Sequence, residues 1–165
     1  MGTNFNLQLI IPELLSNVPE LEEAYIKMLD EEKSTAETLG KEDIRQLEQL
    51  AQLHNISGFD IRKPGVTIVF EQLLVRYIVD LSRDVRLHER LKLIIEWIET
   101  LANHPEFAVR NLIAVSVCEP LITTYEDTLG YFVPFMGEKT KALCTMQFEQ
   151  YLISDETKKL FGIDD

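Results

Sequence analysis

The apolar positions in the middle of the chain recur at alternating steps of three and four. Phe70, Leu73, Leu74, Tyr77, Ile78 and Leu81 therefore share one face of a predicted helix. Ile68, Val69, Val75 and Val79 widen that face, as expected of a central helix packed by neighbours on several sides. Residues 66–70 are rich enough in β-branched side chains to read as a strand, but the helical spacing runs through them and on to Leu81. Asp84 is placed to cap a second helix, with Leu87, Leu91, Ile94, Ile95, Ile98, Leu101 and Ala102 as its buried stripe and Asn103 and Pro105 at its end. Pro105 and Glu106 suit the first turn of a third helix, where a missing N–H costs nothing and a carboxylate meets the positive end of the dipole. Its stripe is Val109, Leu112, Ile113, Ser116 and Val117. Ser116 is expected to bond back to its own helix, and Pro120 to kink or end it.

Upstream, Pro12-Glu13 and Pro19-Glu20 both read as helix starts. They predict a short segment and then a helix to about Glu32, with Leu21, Tyr25, Met28 and Leu29 inward. Ser34-Thr35-Ala36-Glu37 fits a capping box. A further helix is expected over about residues 42–54, with Ile44, Leu47, Leu50 and Ala51 inward. Residues 55–65 read as a loop because they contain Ser57-Gly58 and Pro64-Gly65. Residues 131–135 hold three aromatics in a loop, Tyr131, Phe132 and Phe135, and a last helix follows Gly137, carrying Leu143, Cys144, Phe148, Tyr151 and Leu152. No pair of strands forms a convincing hairpin. The expectation is an all-α single domain over residues 1–165, a compact helical bundle or short α-α stack of about six to eight helices, with acidic amino-terminal helices over about 1–55 and a helical core over about 66–153.

Asn103-His104-Pro105-Glu106 joins two predicted helices into a hairpin, and residues 104–110, His-Pro-Glu-Phe-Ala-Val-Arg, resemble the inter-helix signature of HEAT-type repeats. Only one such unit occurs, and no second copy follows at a period near 40 residues, so a long solenoid is not expected. Residues 66–143 also resemble an uncharacterised bacterial family of small helical proteins, a domain of unknown function. The residues that carry the resemblance are those from 70 to 80, Glu99-Thr100-Leu101, residues 110–116 with Glu119, Phe135-Met136-Gly137 and Thr140-Lys141. It implies a helical fold and carries over no catalytic residue. By analogy of general character, some small bacterial proteins of this kind resemble immunity proteins that neutralise toxins.

Composition narrows the function classes. The chain has 165 residues, 45% hydrophobic and 27% charged, with 7 Gly and 6 Pro, which is ordinary for a folded globular domain. The net charge of −12 disfavours nucleic acid and anionic membrane surfaces and favours a basic protein partner. Residues 1–60 carry 12 acids against 4 bases, residues 61–110 carry 7 and 8, and the rest 9 and 4. Cys118 and Cys144 are the only cysteines and form no C-x-x-C pair, so a reducing compartment, the cytoplasm, is expected. The apolar run at residues 7–15 contains Gln8, Pro12 and Glu13 with no preceding Lys or Arg, unlike a signal peptide. No other stretch approaches the roughly 20 apolar residues of a membrane span.

Chemistry-bearing patterns are sparse. His54, His88 and His104 stand in no zinc-binding spacing, no glycine-rich nucleotide loop occurs, and neither Ser116 nor Cys118 sits in a nucleophile elbow. No metal or cofactor is expected. Asp80, Asp84 and His88 are spaced by four, but a helix boundary at Asp84 would scatter them, and Glu96 and Glu99 read as charges on an outer helix face. Arg83, Arg86, Arg90 and Lys92 form a local basic surplus that Asp84, Glu89 and Glu96 balance. The acidic run Glu20, Glu22, Glu23, Asp30, Glu31 and Glu32 agrees in sign with the whole chain and lies within one helix. Together with Tyr131 and Phe132 as aromatic anchors, it is the candidate partner-binding set. The expected function is a non-enzymatic protein-interaction module, an acidic immunity-type inhibitor of a basic toxin. A self-associating scaffold subunit and an enzyme with a carboxylate-lined pocket, built on Asp80, Asp84, His88, Glu96 and Glu99, are the alternatives.

Overall fold

The computed structural model describes residues 5–54, 56 and 59–163. Among these there is no strand, the chain is 78% helical, and nine helices follow one another: α1 (7–17), α2 (19–38), α3 (Lys41–Leu53), α4 (66–82), α5 (85–102), α6 (Phe107–Thr123), α7 (Glu126–Phe135), α8 (Glu138–Gln147) and α9 (Asp155–Leu160). The all-α architecture is thus as the periodicity predicts. The chain divides into two compact units, Met1–Val69 and Phe70–Asp165.

The amino-terminal unit holds α1 to α3 and the first turn of α4. Asn6 starts α1 by accepting the Gln8 N–H on its side chain at 3.0 Å, and the Gln8 amide in turn donates to the Pro64 carbonyl at 3.2 Å, tying the start of the unit to its end. Pro19 opens α2 with its fixed φ. This helix does not stop near Glu32 but continues to Thr38. The expected capping box at residues 34–37 lies inside it, and the Thr35 hydroxyl donates back to the Glu31 carbonyl at 2.9 Å. The true boundary comes at Leu39-Gly40, where Asp43 accepts the Gly40 N–H at 3.2 Å and starts α3. Leu21, Tyr25, Ala36 and Ala51 are buried, whereas Met28 and Leu29 are half-buried. The inward stripe expected of α3 is corrected. Only Ala51 is buried and Ile44 is half-buried, while Leu47, Leu50 and Leu53 face solvent, Leu53 at 74% exposure. The loop prediction for 55–65 holds over its described part, which turns on Asp60 with its carboxylate accepting the Arg62 N–H at 2.9 Å. The Ser57-Gly58 turn lies outside the described residues.

In the carboxy-terminal unit, α4 from Phe70 on, α5, α6 and α8 pack on one another. Their shared core includes Phe70, Leu74, Ile78, Leu91, Ile94, Ile98, Leu112 and Ile113, close to the stripes predicted from spacing. Leu87 departs from its stripe at 42% exposure, and Trp97 joins the buried set, its ring 6.3 Å from that of Phe70. Asp84 caps as expected, through the Arg86 N–H at 3.0 Å. Pro105 and Glu106 precede α6 rather than forming its first turn. The Arg110 guanidinium holds this connection by donating to the His104 and Pro105 carbonyls at 2.6 and 2.7 Å.

Two wide π turns interrupt the regular helices, at Phe70–Val75 in α4 and Ala114–Cys118 in α6, and they pack against each other. The second explains why Pro120 does not end the helix, one of the two outcomes expected of it. A proline ring clashes with the carbonyl four residues back and cannot donate to it. Widening the turn before it by one residue removes that conflict, so α6 continues to Thr123. The buried Ser116 hydroxyl, within this turn, has no hydrogen-bond partner among the described residues, in place of the expected bond back to its own helix. The aromatic segment at 131–135 is not a loop but the second half of α7. The last helix is α9, which the periodicity missed, and Leu152 lies fully exposed before it.

Candidate functional site

The acidic residues of α2 fall on different faces, because 3.6 residues per turn separates neighbours in sequence. Glu20, Glu23 and Asp30 converge on an open groove of about 600 Å³ whose remaining lining is Ala24, Ile26 and Lys27. Ile26, 51% exposed, lies on this shallow surface, which therefore combines three carboxylates and one cation, Lys27, with an unburied apolar side chain. Glu32 lines a different hollow of about 440 Å³ with Leu7, Phe59 and Ile68. Glu22 and Glu31 are exposed but line neither hollow. The six acids therefore do not act as one cluster.

The aromatic half of the candidate set needs correction. Phe132 is completely buried in the carboxy-terminal unit, because α7 turns it inward, so it cannot anchor a partner. Tyr131, next in the helix, is 47% exposed, and its ring lies 5.9 Å from that of His88.

The side chains nominated for an enzyme pocket do not converge. Asp80 pairs with Arg83 at 3.6 Å, and Glu96 with Lys92 at 3.9 Å. Asp84 accepts from the Arg86 guanidinium at 2.7 and 3.0 Å. This contact, with the Arg86 N–H, holds its carboxyl down to about 2. His88 Nε2 lies 2.9 Å from the Ser82 carbonyl, and its ring also meets Phe135 edge-on at 6.0 Å. The helix break at Asp84 thus scatters the three groups spaced by four. Among the described residues no group of three or more His, Cys, Asp or Glu side chains is arranged to hold a metal ion.

Two carboxylates instead close helix ends: Glu99, expected to be an outer-face charge or part of an enzyme pocket, and Glu126, which no sequence pattern singled out. Glu99 accepts from the Lys139 and Thr140 amides, each at 2.8 Å, and from the Thr140 hydroxyl at 2.6 Å. Burial pushes its pKa up, but these donors outweigh burial and the net displacement is downward. Glu126 accepts from the Ser154 and Thr157 hydroxyls at 2.6 and 2.5 Å at the start of α9, which lowers its pKa. Cys118 and Cys144 are buried free thiols. Contact with Cys144 and burial raise the Cys118 pKa, so the thiolate needed for nucleophilic chemistry is disfavoured. No family model, no curated protein and no solved structure matches the chain. Among the described residues, no single helix is long and apolar enough to cross a membrane.

Proposed function

We propose that this chain is a non-enzymatic protein-interaction module that binds a basic protein partner, in the manner of an immunity-type inhibitor covering a toxin. The observation that carries the reading is the shallow α2 groove, whose lining includes Glu20, Glu23 and Asp30 against the one cation Lys27, with exposed Ile26. An acidic surplus on a chain of net charge −12 accelerates encounter with a cationic surface, and an exposed apolar side chain slows dissociation once docked. Tyr131 is a separate exposed aromatic available to a partner. A reducing compartment, the cytoplasm, belongs to the same reading and is supported by a chain with only two cysteines, both buried and free.

A self-associating scaffold subunit is the second reading, favoured by the exposed Leu47, Leu50 and Leu53 of α3. Like charges on the two copies oppose it. Affinity capture from the native cell discriminates, using the wild-type chain beside a Glu23→Lys/Asp30→Lys variant. A basic protein retained by the wild type and lost by the variant supports the inhibitor reading. Recovery of this chain alone, as an oligomer, replaces it with the scaffold reading.

A further inference from the structure

The amino-terminal unit carries a second concave surface, away from the α2 groove in its lining residues. Ile56 and Phe59 line two hollows at once. One, of about 440 Å³, extends to Leu7, Ile61 and Val66. The other, of about 250 Å³, extends along α3 to Glu48, Ala51 and Gln52. Both shared side chains are substantially exposed, at 55% and 41%, so they form an apolar ridge between two depressions. The larger hollow falls in the size range of sites that bury a bulky side chain or small ligand, about 300–1,000 Å³.

The charge around the ridge is one-sided. Glu32 and Asp60 border the first hollow and Glu48 the second, against the single cation Lys63. Neither Glu32 nor Glu48 takes part in an ion pair among the described residues. We infer that the ridge made by the side chains of Ile56 and Phe59, with its two hollows, docks a basic amphipathic segment of the partner protein, apolar side chains entering the hollows and Lys or Arg facing Glu32, Glu48 and Asp60. An amphipathic segment laid in a groove is a standard recognition mode, and charge complementarity selects a cationic one. A second copy of this chain, also at −12, or an anionic lipid surface would bring like charge to the same rim. The inference rests on the basic-partner reading but names residues that the α2 groove does not use.

The test titrates the full chain with three synthetic peptides of about 18 residues, long enough to fold as a helix on a surface. One carries Leu at helical spacing with Lys elsewhere, one the same Leu with Glu, and one Lys and Ser without Leu. The Leu/Lys peptide is expected to bind at least about tenfold more tightly than either control, because both the apolar and the charged contacts are required. Ile56→Ser/Phe59→Ser should weaken it by at least about tenfold. Glu32→Lys/Glu48→Lys, which leaves every apolar contact in place and serves if the first variant fails to fold, should weaken it by about fivefold or more. Glu149→Lys/Glu156→Lys, a matched reversal of exposed charge in the carboxy-terminal unit, should change it by no more than about threefold. Equal binding of the Leu/Glu peptide, no binding of the Leu/Lys peptide, or indifference of a folded ridge variant overturns the inference. So does a wild-type dimer that the ridge variant abolishes, since the surface then belongs to a second copy. Binding lost on Glu23→Lys/Asp30→Lys and unchanged by the ridge substitution leaves the proposed function standing and removes this site, whereas no binding of any basic peptide, together with no basic protein captured by the wild type, removes the proposed function as well.

Discussion

Glu99→Ala should be among the most costly substitutions at any half-exposed position. The side chain accepts from two amides and one hydroxyl at the start of α8. A lost charge-assisted hydrogen bond costs about 1.5–3 kcal/mol and a lost helix cap about 1 kcal/mol. Water reaches part of the site and replaces some of this, leaving an expected loss of about 2–3 kcal/mol, or roughly 5–10 °C in Tm for a chain of this length. Gly137 supplies an internal control. A Cβ there would stand 2.6 Å from Glu99 Oε1 and closer still to its carboxyl carbon, while its φ of −76° suits any residue. Gly137→Ala should therefore displace the carboxylate and cost a similar amount, yet add less than about 0.5 kcal/mol once Glu99 is Ala. Urea unfolding followed by the fluorescence of Trp97, the only tryptophan, buried on the same helix, measures all four corners of the cycle. The pH dependence carries the same signature. With its pKa depressed in the fold, Glu99 contributes fully above the unfolded value of about 4.3 and loses its contribution as pH falls through the lower folded value. Glu99→Gln should flatten that acid limb. Additive costs for Glu99→Ala and Gly137→Ala would refute the capping account.

Two further outcomes follow from the carboxy-terminal core. Ser116→Ala should leave stability unchanged or raise it by about 1 kcal/mol in the same urea assay, because it removes a buried hydroxyl with no hydrogen-bond partner among the described residues; a loss above about 1 kcal/mol would mean the hydroxyl has a partner. Cys118 and Cys144, buried and with the Cys118 thiol pushed up, should react with a disulfide reagent only at the rate of unfolding, and rapid modification of the native chain would contradict their burial.

What the sequence made legible followed from how locally each feature is encoded. The stripes of α5 and α6 and the Asp84 cap depend on spacing within one helix, and they emerged nearly residue for residue. The wide turn before Pro120 was hidden because its cause, relief of the proline clash, changes the backbone without changing the apolar pattern. Thr35 and Ser34 carry side chains equally suited to a cap and to an exposed helix interior, so the end of α2 was misplaced. The pairing of Glu99 with Lys139 and Thr140, some forty residues on, has no local signature at all. For the candidate site, the exposure of Glu20, Glu23 and Asp30 followed from their lying off the Leu21–Tyr25 stripe. The burial of Phe132 and the exposure of Leu47, Leu50 and Leu53 did not, because an amphipathic pattern specifies a face without saying what covers it.

The association rate with the captured basic partner tests the central claim most directly, measured for the wild type and for Glu23→Lys/Asp30→Lys at low and near-physiological salt. Steered docking on the α2 groove predicts a rate that falls about tenfold or more on charge reversal at low salt, with most of that difference gone once the Debye length shortens to about 8 Å. A rate indifferent to both the reversal and the salt would contradict it.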